Sequence, residues 1–356
     1  MRGKKCIYVA FICIICVIFS SCNTIEVSNR AFVEVLGIDM LNGEYLVTMR
    51  LLKAVSGGDT QKSEGVFAQG TGKTLGDAIS NADDLLDKRI FCGHCKLVVI
   101  GESAENSSKT STKLQPILPQ ISESLKYFVE GNKMSISTDL AFAEDASAVI
   151  KKMDGENFKV DMLKKFSEKG KIIRGDFSDY LGNSVGYGKT TVLPKIALNG
   201  EIPVLDGVYV AKNDDIVGKA SGDYVFGMGI LMGKNSSYNG EILTQNGNSG
   251  VKIEKIDVKM LPKIHSGKVE VDVAINAETR LIEGENSDNL EYFIEQLLLE
   301  KCEKAVMVSK ACKADIFGIE KLLKRYEPKY LEQNAQNFDD IISSCKFEFN
   351  INCKLI

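Results

Sequence analysis

Two segments in the C-terminal half alternate strictly between apolar and polar side chains, and this pattern constrains the fold most. In KVEVDVAIN the apolar face is formed by Val269, Val271, Val273 and Ile275. In the closing CKFEFNINCKL it is formed by Cys345, Phe347, Phe349, Ile351 and Cys353. Successive side chains of a strand point to opposite faces, so each segment predicts a strand with one buried and one solvated face.

A long helix is predicted between these two strands, beginning near Asp288. Apolar side chains recur along it every three or four residues, at Leu290, Ile294, Leu298, Cys302, Ala305, Val308, Cys312 and Ile316. Such a stripe packs a helix on the buried face of a sheet. The predicted fold class is α+β, with mixed or antiparallel sheets, helices packed on one face, and a long helix followed by a final strand in the C-terminal domain.

The N-terminal half predicts a similar mixture of elements. AFVEVLGID and EYLVTMRLLK read as two strands joined at Asn42-Gly43, followed by a strand at VFAQG. A helix is predicted on Leu75, Ile79, Ala82, Leu85 and Leu86, and a buried strand on residues 97–100. Further predictions are a helix within 114–128, an extended segment NKMSISTDLAF, and helices near 146–153 and 160–169.

The Gly-rich stretch GNSVGYGK, residues 182–189, is the predicted domain junction. Beyond it we expect a strand at TVLPKIAL, a hairpin turning at Asn213-Asp214 and a strand at VKIEKIDVKML. The predicted division is a signal peptide at 1–21, an N-terminal α+β domain at 22–188 with a subdivision near residue 130, and a C-terminal α+β domain at 189–356.

The N-terminus carries the features of an export signal. Arg2, Lys4 and Lys5 precede an apolar run from Cys6 to Phe19, which is shorter than the ~20 residues of a membrane-spanning helix. Phe19-Ser20-Ser21-Cys22 then resembles a bacterial lipobox, in which the cysteine thiol receives a diacylglyceryl group and becomes the new N-terminus. Two acyl chains hold a protein stably on a membrane. We therefore predict lipidation of Cys22 and attachment of an exported chain to a membrane.

Charge and size limit the classes of partner. The formal charge of −4 becomes −7 when the three cations of the signal peptide are removed. This balance argues against a nucleic-acid partner and against basic adhesion to anionic lipid. About 335 residues remain, enough for two or three domains with their own cores. The sequence carries no recognisable cofactor motif.

Cys92-Gly93-His94-Cys95 has the spelling of a disulfide isomerase active site. In thioredoxin-like enzymes this motif follows a strand and begins a helix, whose N-terminus lowers the thiol pKa. Here a helix is predicted before the motif and a strand after it, which favours a structural pair. A metal site using Cys92, His94 and Cys95 would need a fourth ligand, for example Cys302 or Cys312. The other histidine, His265, lies in a predicted turn.

Other chemical motifs are weaker. Cys302, Cys312, Cys345 and Cys353 occupy core-facing positions, where they pack as small hydrophobes or, in an exported protein, form a disulfide between helix and strand. Gly70 to Thr74 ends like a phosphate-binding loop, but Phe67 stands where that loop needs glycine. Thr74 is instead predicted to cap a helix, with Asp77 three residues later. With two histidines in the chain, no hydrolytic triad is recognisable, and no catalytic residue is predicted.

Several of these segments together resemble the Ger(x)C family of spore germination lipoproteins. They are the lipobox cysteine, AFVEVLGID ending in Gly37-Ile38-Asp39, the segment from GKTLGDAIS to KLVVIGE containing Gly93-His94 and Lys96, and the run carrying Ala314, Asp315, Phe317 and Gly318. Asn23 stands where the family commonly has Trp. The flanking Cys92 and Cys95 are incidental to this resemblance.

The resemblance implies a non-catalytic C subunit of a nutrient-germinant receptor in a spore-forming bacterium. It would be a lipoprotein on the extracytoplasmic face of the spore inner membrane, working with an integral-membrane subunit and a second, partly cytosolic subunit. No cofactor and no metal are implied.

Two functions from other classes remain open at this stage. One is an extracytoplasmic thiol–disulfide oxidoreductase that uses Cys92 and Cys95. The other is a solute-binding lipoprotein of a transporter, which would ordinarily be built from two lobes with parallel sheets.

Overall fold

The structure is a computed structural model of the 356-residue chain. It describes residues 29–52, 66–105, 124, 126, 131, 133–153, 160–183, 186–213, 215–234, 237–244, 247–284 and 289–356. Cys22, the signal segment, Asp214 and most of the predicted helix within 114–128 lie outside the described residues.

A mixed sheet occupies the N-terminal half and continues well beyond it. Its strands are β1 (Arg30–Leu41), β2 (Glu44–Leu51), β3 (Val66–Gly72), β4 (Arg89–Phe91), β5 (Leu97–Glu105), β6 (Asp139–Ala143), β7 (Gly175–Asp176), β8 (Thr190–Asn199), β9 (Ile202–Lys212) and β10 (Asp215–Ala220). Their order is β10-β9-β8-β6-β5-β1-β2-β3, with β4 paired to β1 and β7 to β6. The centre, β1-β5-β6-β8, is parallel, and both outer parts are antiparallel hairpins.

The predicted hairpins form as the turn residues dictate. Asn42 and Gly43 have φ of 54° and 84°, the left-handed conformation that a two-residue hairpin turn requires. This turn sets the register that pairs Leu41 with Glu44 in β1 and β2. Asn213, with φ of 49°, begins the turn between β9 and β10.

Both faces of this first sheet are covered. The strand predicted at 97–100 is buried along its whole length, because its side chains point alternately into two apolar clusters. Helices α1 (Leu75–Asp83) and α4 (Phe177–Asn183) pack on one face. Helices α2 (Ala146–Lys152) and α3 (Asp161–Glu168) pack on the other.

The second sheet contains the strands with strict alternation. Its order is β11 (Tyr238–Thr244), β12 (Gly247–His265), β13 (Lys268–Glu283) and β14 (Lys346–Leu355). All four predicted core residues of β13 are buried, at 2% exposure or less. The final strand runs parallel to β13, and such a pairing needs a long crossover. That crossover consists of α6 (Leu290–Cys312), α7 (Ile319–Tyr326), α8 (Pro328–Asn334) and α9 (Phe338–Ser344).

Helix α6 packs on the buried face of the second sheet and against α5 (Asp223–Leu231). The two helices approach so closely that a side chain at Gly227 would lie 1.9 Å from the Lys301 carbonyl oxygen. The fold class predicted from the sequence is therefore confirmed: α+β with mixed sheets, and a long helix before a final C-terminal strand.

Three local predictions were inaccurate. Helix α1 ends at Asp83, so Leu85 lies outside it with 76% of its surface exposed. On α6 the predicted Val308 and Cys312 are only partly buried against the core, Val306 and Ser309 are buried as well, and the helix ends at Cys312, so Ile316 lies beyond it. Within NKMSISTDLAF only the part from Asp139 is strand, and the described residues before it form turns.

The two sheets share one apolar core. Val208 and Val210 of β9 belong to the same buried cluster as Ile275 of β13 and Leu298 of α6. The first sheet also runs across residue 189, since β8, β9 and β10 pair with it. The domain division at 189 stays a prediction, and the strands on its C-terminal side extend the first sheet.

Candidate functional site

The Cys-Gly-His-Cys segment forms a tight turn rather than the start of an α-helix. Residues Cys92–His94 make one 3₁₀ turn, closed by a hydrogen bond from the Cys95 N–H to the Cys92 carbonyl at 2.9 Å. The sequence predicted a helix directly before the turn. The short strand β4 intervenes, so Cys92 follows a strand in the chain, although, after burial, the Asp83 carboxylate at the end of α1 still helps to raise the pKa of its thiol.

Both thiols of this turn are buried, and burial disfavours their reactive thiolate form. Cys92 is 7% exposed and Cys95 is 5% exposed. Burial raises the pKa of the Cys92 thiol to about 12, and burial also raises the pKa of Cys95. The Cys95 Sγ donates to the Leu97 carbonyl oxygen at 3.3 Å. A thiolate nucleophile is strongly disfavoured here.

His94 belongs to an aromatic cluster at the same end of the first sheet. Its ring lies 5.4 Å from the Phe32 ring and 5.6 Å from the Phe91 ring, and the Arg30 guanidinium lies over Phe91 at 4.7 Å. His265 lies beside the turn between β12 and β13, as predicted. Among the described residues, no group of three or more His, Cys, Asp or Glu side chains is arranged to hold a metal ion.

The remaining described cysteines are free thiols in the structure. Cys302, Cys345 and Cys353 are buried in the core shared by the two sheets, and Cys312 is partly buried beside it. The disulfide between helix and strand that the sequence left open is not formed among these residues.

The segment resembling a phosphate-binding loop serves packing and capping. Thr74 Oγ1 accepts the Asp77 N–H at 3.1 Å, which confirms the predicted helix cap. A side chain at Gly70 would lie 2.2 Å from the Ala78 carbonyl oxygen, so this glycine lets β3 pack directly on α1. Gly70 and Thr74 therefore have packing and capping roles that differ from those of residues in a phosphate-binding loop.

Asp39 is a buried carboxylate of the Gly-Ile-Asp segment, and it holds the start of α2. Its two oxygens accept the backbone N–H groups of Ala146 at 2.9 Å and Ser147 at 2.8 Å. Burial raises its pKa to about 6 although these two bonds favour the charged form. A side chain at Gly101 would lie 2.0 Å from an Asp39 oxygen, which explains the glycine there.

Asp315 plays the same role at the other resembling segment. Its oxygens accept the N–H groups of Ile319 at 2.6 Å and Glu320 at 2.9 Å, and burial raises its pKa to about 6. Gly318 has φ of 74°, a conformation that favours glycine. The Ala-Asp-x-Phe-Gly run therefore shapes the loop that begins α7.

Glu320 ties the predicted domain junction to α7. One of its oxygens accepts the N–H groups of Tyr187 at 2.8 Å and Gly188 at 2.7 Å, and the other accepts Lys324 Nζ at 2.5 Å. Burial opposes its charge, but these hydrogen bonds lower its pKa overall. The sequence did not predict this role, because the pattern of an amphipathic helix does not distinguish a glutamate that faces solvent from one that binds a distant backbone segment.

A cleft of about 390 Å³ opens beside this tie, between β8, α7 and the end of α5. Its charged walls are internally paired, for example Lys234 Nζ with Asp179 at 2.5 Å. Close by, Lys212 Nζ bonds the Lys313 carbonyl oxygen at 2.8 Å and Asp339 at 2.6 Å. The named acids of this region thus bind backbone N–H groups and lysines. These contacts restrict movement of the loops around the cleft.

Comparison with known proteins places the chain among spore germination proteins. Residues 23–198 match the family described as "Spore germination protein N-terminal domain". Residues 206–356 match "Spore germination B3/ GerAC like, C-terminal". The chain belongs to this family, the C subunits of germinant receptors, as the resemblance in sequence predicted.

A solved structure shares the fold. The chain resembles the "Crystal Structure of the GerBC protein" with a TM-score of 0.57 and 18% identity, over 90% of this chain and 96% of the other. Comparison with curated proteins gave no match. Of the helices in the described part of the chain, none combines the length and apolarity needed to cross a bilayer.

The buried state of Asp39 predicts a specific dependence of stability on pH. Its folded pKa, about 6, lies above the ordinary 3.8, so it contributes stability that is present below pH 4 and lost as the pH rises through 6. Asp39→Asn removes this contribution. The difference in unfolding free energy between wild type and variant, measured by urea denaturation, should be about 2 kcal/mol larger at pH 4 than at pH 7.

The matched control is Asp145→Asn, which alters an exposed cap of the same helix that accepts the Ala148 N–H. A difference between wild type and Asp39→Asn that grows with rising pH would contradict the account of Asp39.

The two buried thiols should be nearly inert in the folded protein. A rise in pKa from 9.0 to about 12 leaves Cys92 with roughly a thousandfold less thiolate at pH 8. Labelling with a thiol reagent, followed by mass spectrometry, should modify Cys312 well before Cys92 or Cys95. Rapid labelling of Cys92, or insulin reduction that Cys92→Ser with Cys95→Ser abolishes, would favour the oxidoreductase function instead.

Proposed function

We propose that this chain is a non-catalytic, lipid-anchored subunit of a spore nutrient-germinant receptor, needed for germination triggered by a germinant. The observation that carries the proposal is the match to both family domains, which together extend over residues 23–198 and 206–356. The first domain begins at the residue after Cys22, the predicted lipidation site. The match therefore agrees with a mature chain that starts at that cysteine.

The chemistry of the described residues supports a role in binding and coupling. The buried carboxylates of Asp39, Asp315 and Glu320 accept backbone N–H groups from loops and helix starts. The thiols of Cys92 and Cys95 are buried with raised pKa. The carboxylates stabilise one backbone conformation. A subunit that couples its binding partners mechanically needs such a fixed conformation.

The proposed partners are an integral-membrane subunit and a partly cytosolic subunit of the receptor. The proposed location is the extracytoplasmic face of the spore inner membrane, with the chain held by acyl groups on Cys22. Tethering raises the effective concentration of the folded body near its membrane partners, so a modest docking interface suffices. The solute-binding alternative would ordinarily have two lobes with parallel sheets, whereas here only the first sheet has a parallel centre and the second is mainly antiparallel with one polar face.

Replacing the lipidated cysteine tests the anchor. Cys22→Ala removes the acyl chains that bury methylene groups in the bilayer, so the protein should move from the spore membrane fraction to the soluble fraction. Germination in response to nutrients should fall severalfold, measured as loss of optical density of a spore suspension.

The control is Cys92→Ser with Cys95→Ser, which should leave both fractionation and germination near wild type. Full germination by spores whose Cys22→Ala protein is soluble would refute the requirement for the anchor.

A further inference from the structure

One end of the first sheet gathers the exposed apolar side chains that lie nearest to the predicted anchor. At this end β1, β5 and β6 begin and β2 ends, because β5 and β6 run parallel to β1 while β2 is antiparallel. We call it the basal surface and define it by Arg30, Leu52, Val66, Leu85, Arg89 and Ile136. The apolar members of this set are exposed to between 42% and 76%.

Contacts within the described chain place these residues together. The Leu52 N–H bonds the Phe32 carbonyl oxygen at 2.8 Å, and Leu51 lies opposite Val66 in the sheet. Arg89 lies opposite Arg30 in the pairing of β4 with β1. Leu85 follows the end of α1, and Ile136 precedes β6. The Phe32, Phe91 and His94 rings, 5.4–5.7 Å apart, lie among them.

The charge of the two ends of the sheet differs. Around the basal surface the exposed or half-exposed cations include Arg30, Lys88, Arg89, Lys96 and Lys133, and the acids of the same exposure include Glu34, Asp83, Asp84 and Asp87, so cations are in slight excess. Lys96 is also paired with Glu34 at 3.3 Å.

The opposite end carries exposed acids where strands end or turn, at Glu44, Glu144, Asp145 and Glu201. Its exposed apolar residues include Ile202 at 50%, which follows Glu201, the partner of Lys152 in an ion pair.

The link to the anchor is short. Cys22 precedes Asn29, the first described residue, by seven positions. At roughly 3.5 Å per residue this link spans at most about 25 Å, so the start of β1 cannot lie far from lipid attached to Cys22.

We infer that the basal surface lies on the bilayer, with Leu85 and its apolar neighbours in the headgroup region and the nearby cations facing phospholipid phosphates. Apolar side chains flanked by Lys and Arg bind at this depth of a membrane, and aromatic rings favour the same region. The inference rests on the proposed lipid anchor at Cys22. It fixes which end of the first sheet faces the membrane and leaves the opposite, acidic end for protein partners.

The chain contains no Trp, so a single introduced Trp reports its own surroundings. We would introduce Leu85→Trp on the basal surface and, as the matched control, Ile202→Trp at the acidic end. Each lipidated full-length variant is reconstituted on vesicles of phosphatidylcholine and phosphatidylglycerol, with and without brominated acyl chains that quench Trp fluorescence on contact. Urea denaturation followed by circular dichroism checks that both variants remain folded.

Quenching should be severalfold stronger for Leu85→Trp than for Ile202→Trp, with a shift of its emission to shorter wavelength. Equal quenching, or stronger quenching at residue 202, in protein that sediments with the vesicles would overturn the orientation and leave the anchor standing. Protein that fails to sediment with vesicles would overturn the anchor and the inference together.

Discussion

The apolar core that the two sheets share is the interaction on which the rest of the structure depends. Val192 of β8, in the first matched family domain, packs in one cluster with Val208 of β9, Ile275 of the second sheet and Leu298 of α6. A core continuous across both family domains makes their relative movement costly, since separation would expose buried apolar area. The Glu320 carboxylate adds a polar tie by holding the N–H groups of Tyr187 and Gly188. The Gly-rich stretch predicted as the domain junction is thereby held in place at Tyr187 and Gly188.

The buried acids of the described residues have structural roles: their carboxylates bind backbone N–H groups. Asp39 and Asp315 each accept two backbone N–H groups: Asp39 holds a helix start 107 residues further along the chain, and Asp315 holds one that begins four residues later. Raised pKa values often mark catalytic acids, yet here both follow from burial opposed by structural hydrogen bonds. The same segments carry the resemblance to the family. Their shared residues are therefore explained by the backbone conformations they impose.

Periodicity predicted the elements that pack on one face, such as β13, whose four predicted core residues are all buried, because a half-buried strand alternates apolar and polar residues along the sequence. It could not predict that β8, β9 and β10 join the first sheet, since strand partners distant in the chain leave no local pattern. It also missed the strand β4 before Cys92, which is three residues long. The Thr74 cap was predictable because a cap depends only on neighbouring residues, whereas the Glu320 tie joins positions 132 or more apart.

The proposed role of the chain is that of a rigid body that docks to receptor subunits at a membrane. The most direct test is affinity purification of the tagged, full-length protein from detergent-solubilised membranes of dormant spores, with quantitative mass spectrometry of what accompanies it. The account predicts that a multi-span membrane protein and a second partner are recovered in a fixed ratio to the chain. Recovery of the chain alone, from spores that germinate normally, would contradict it.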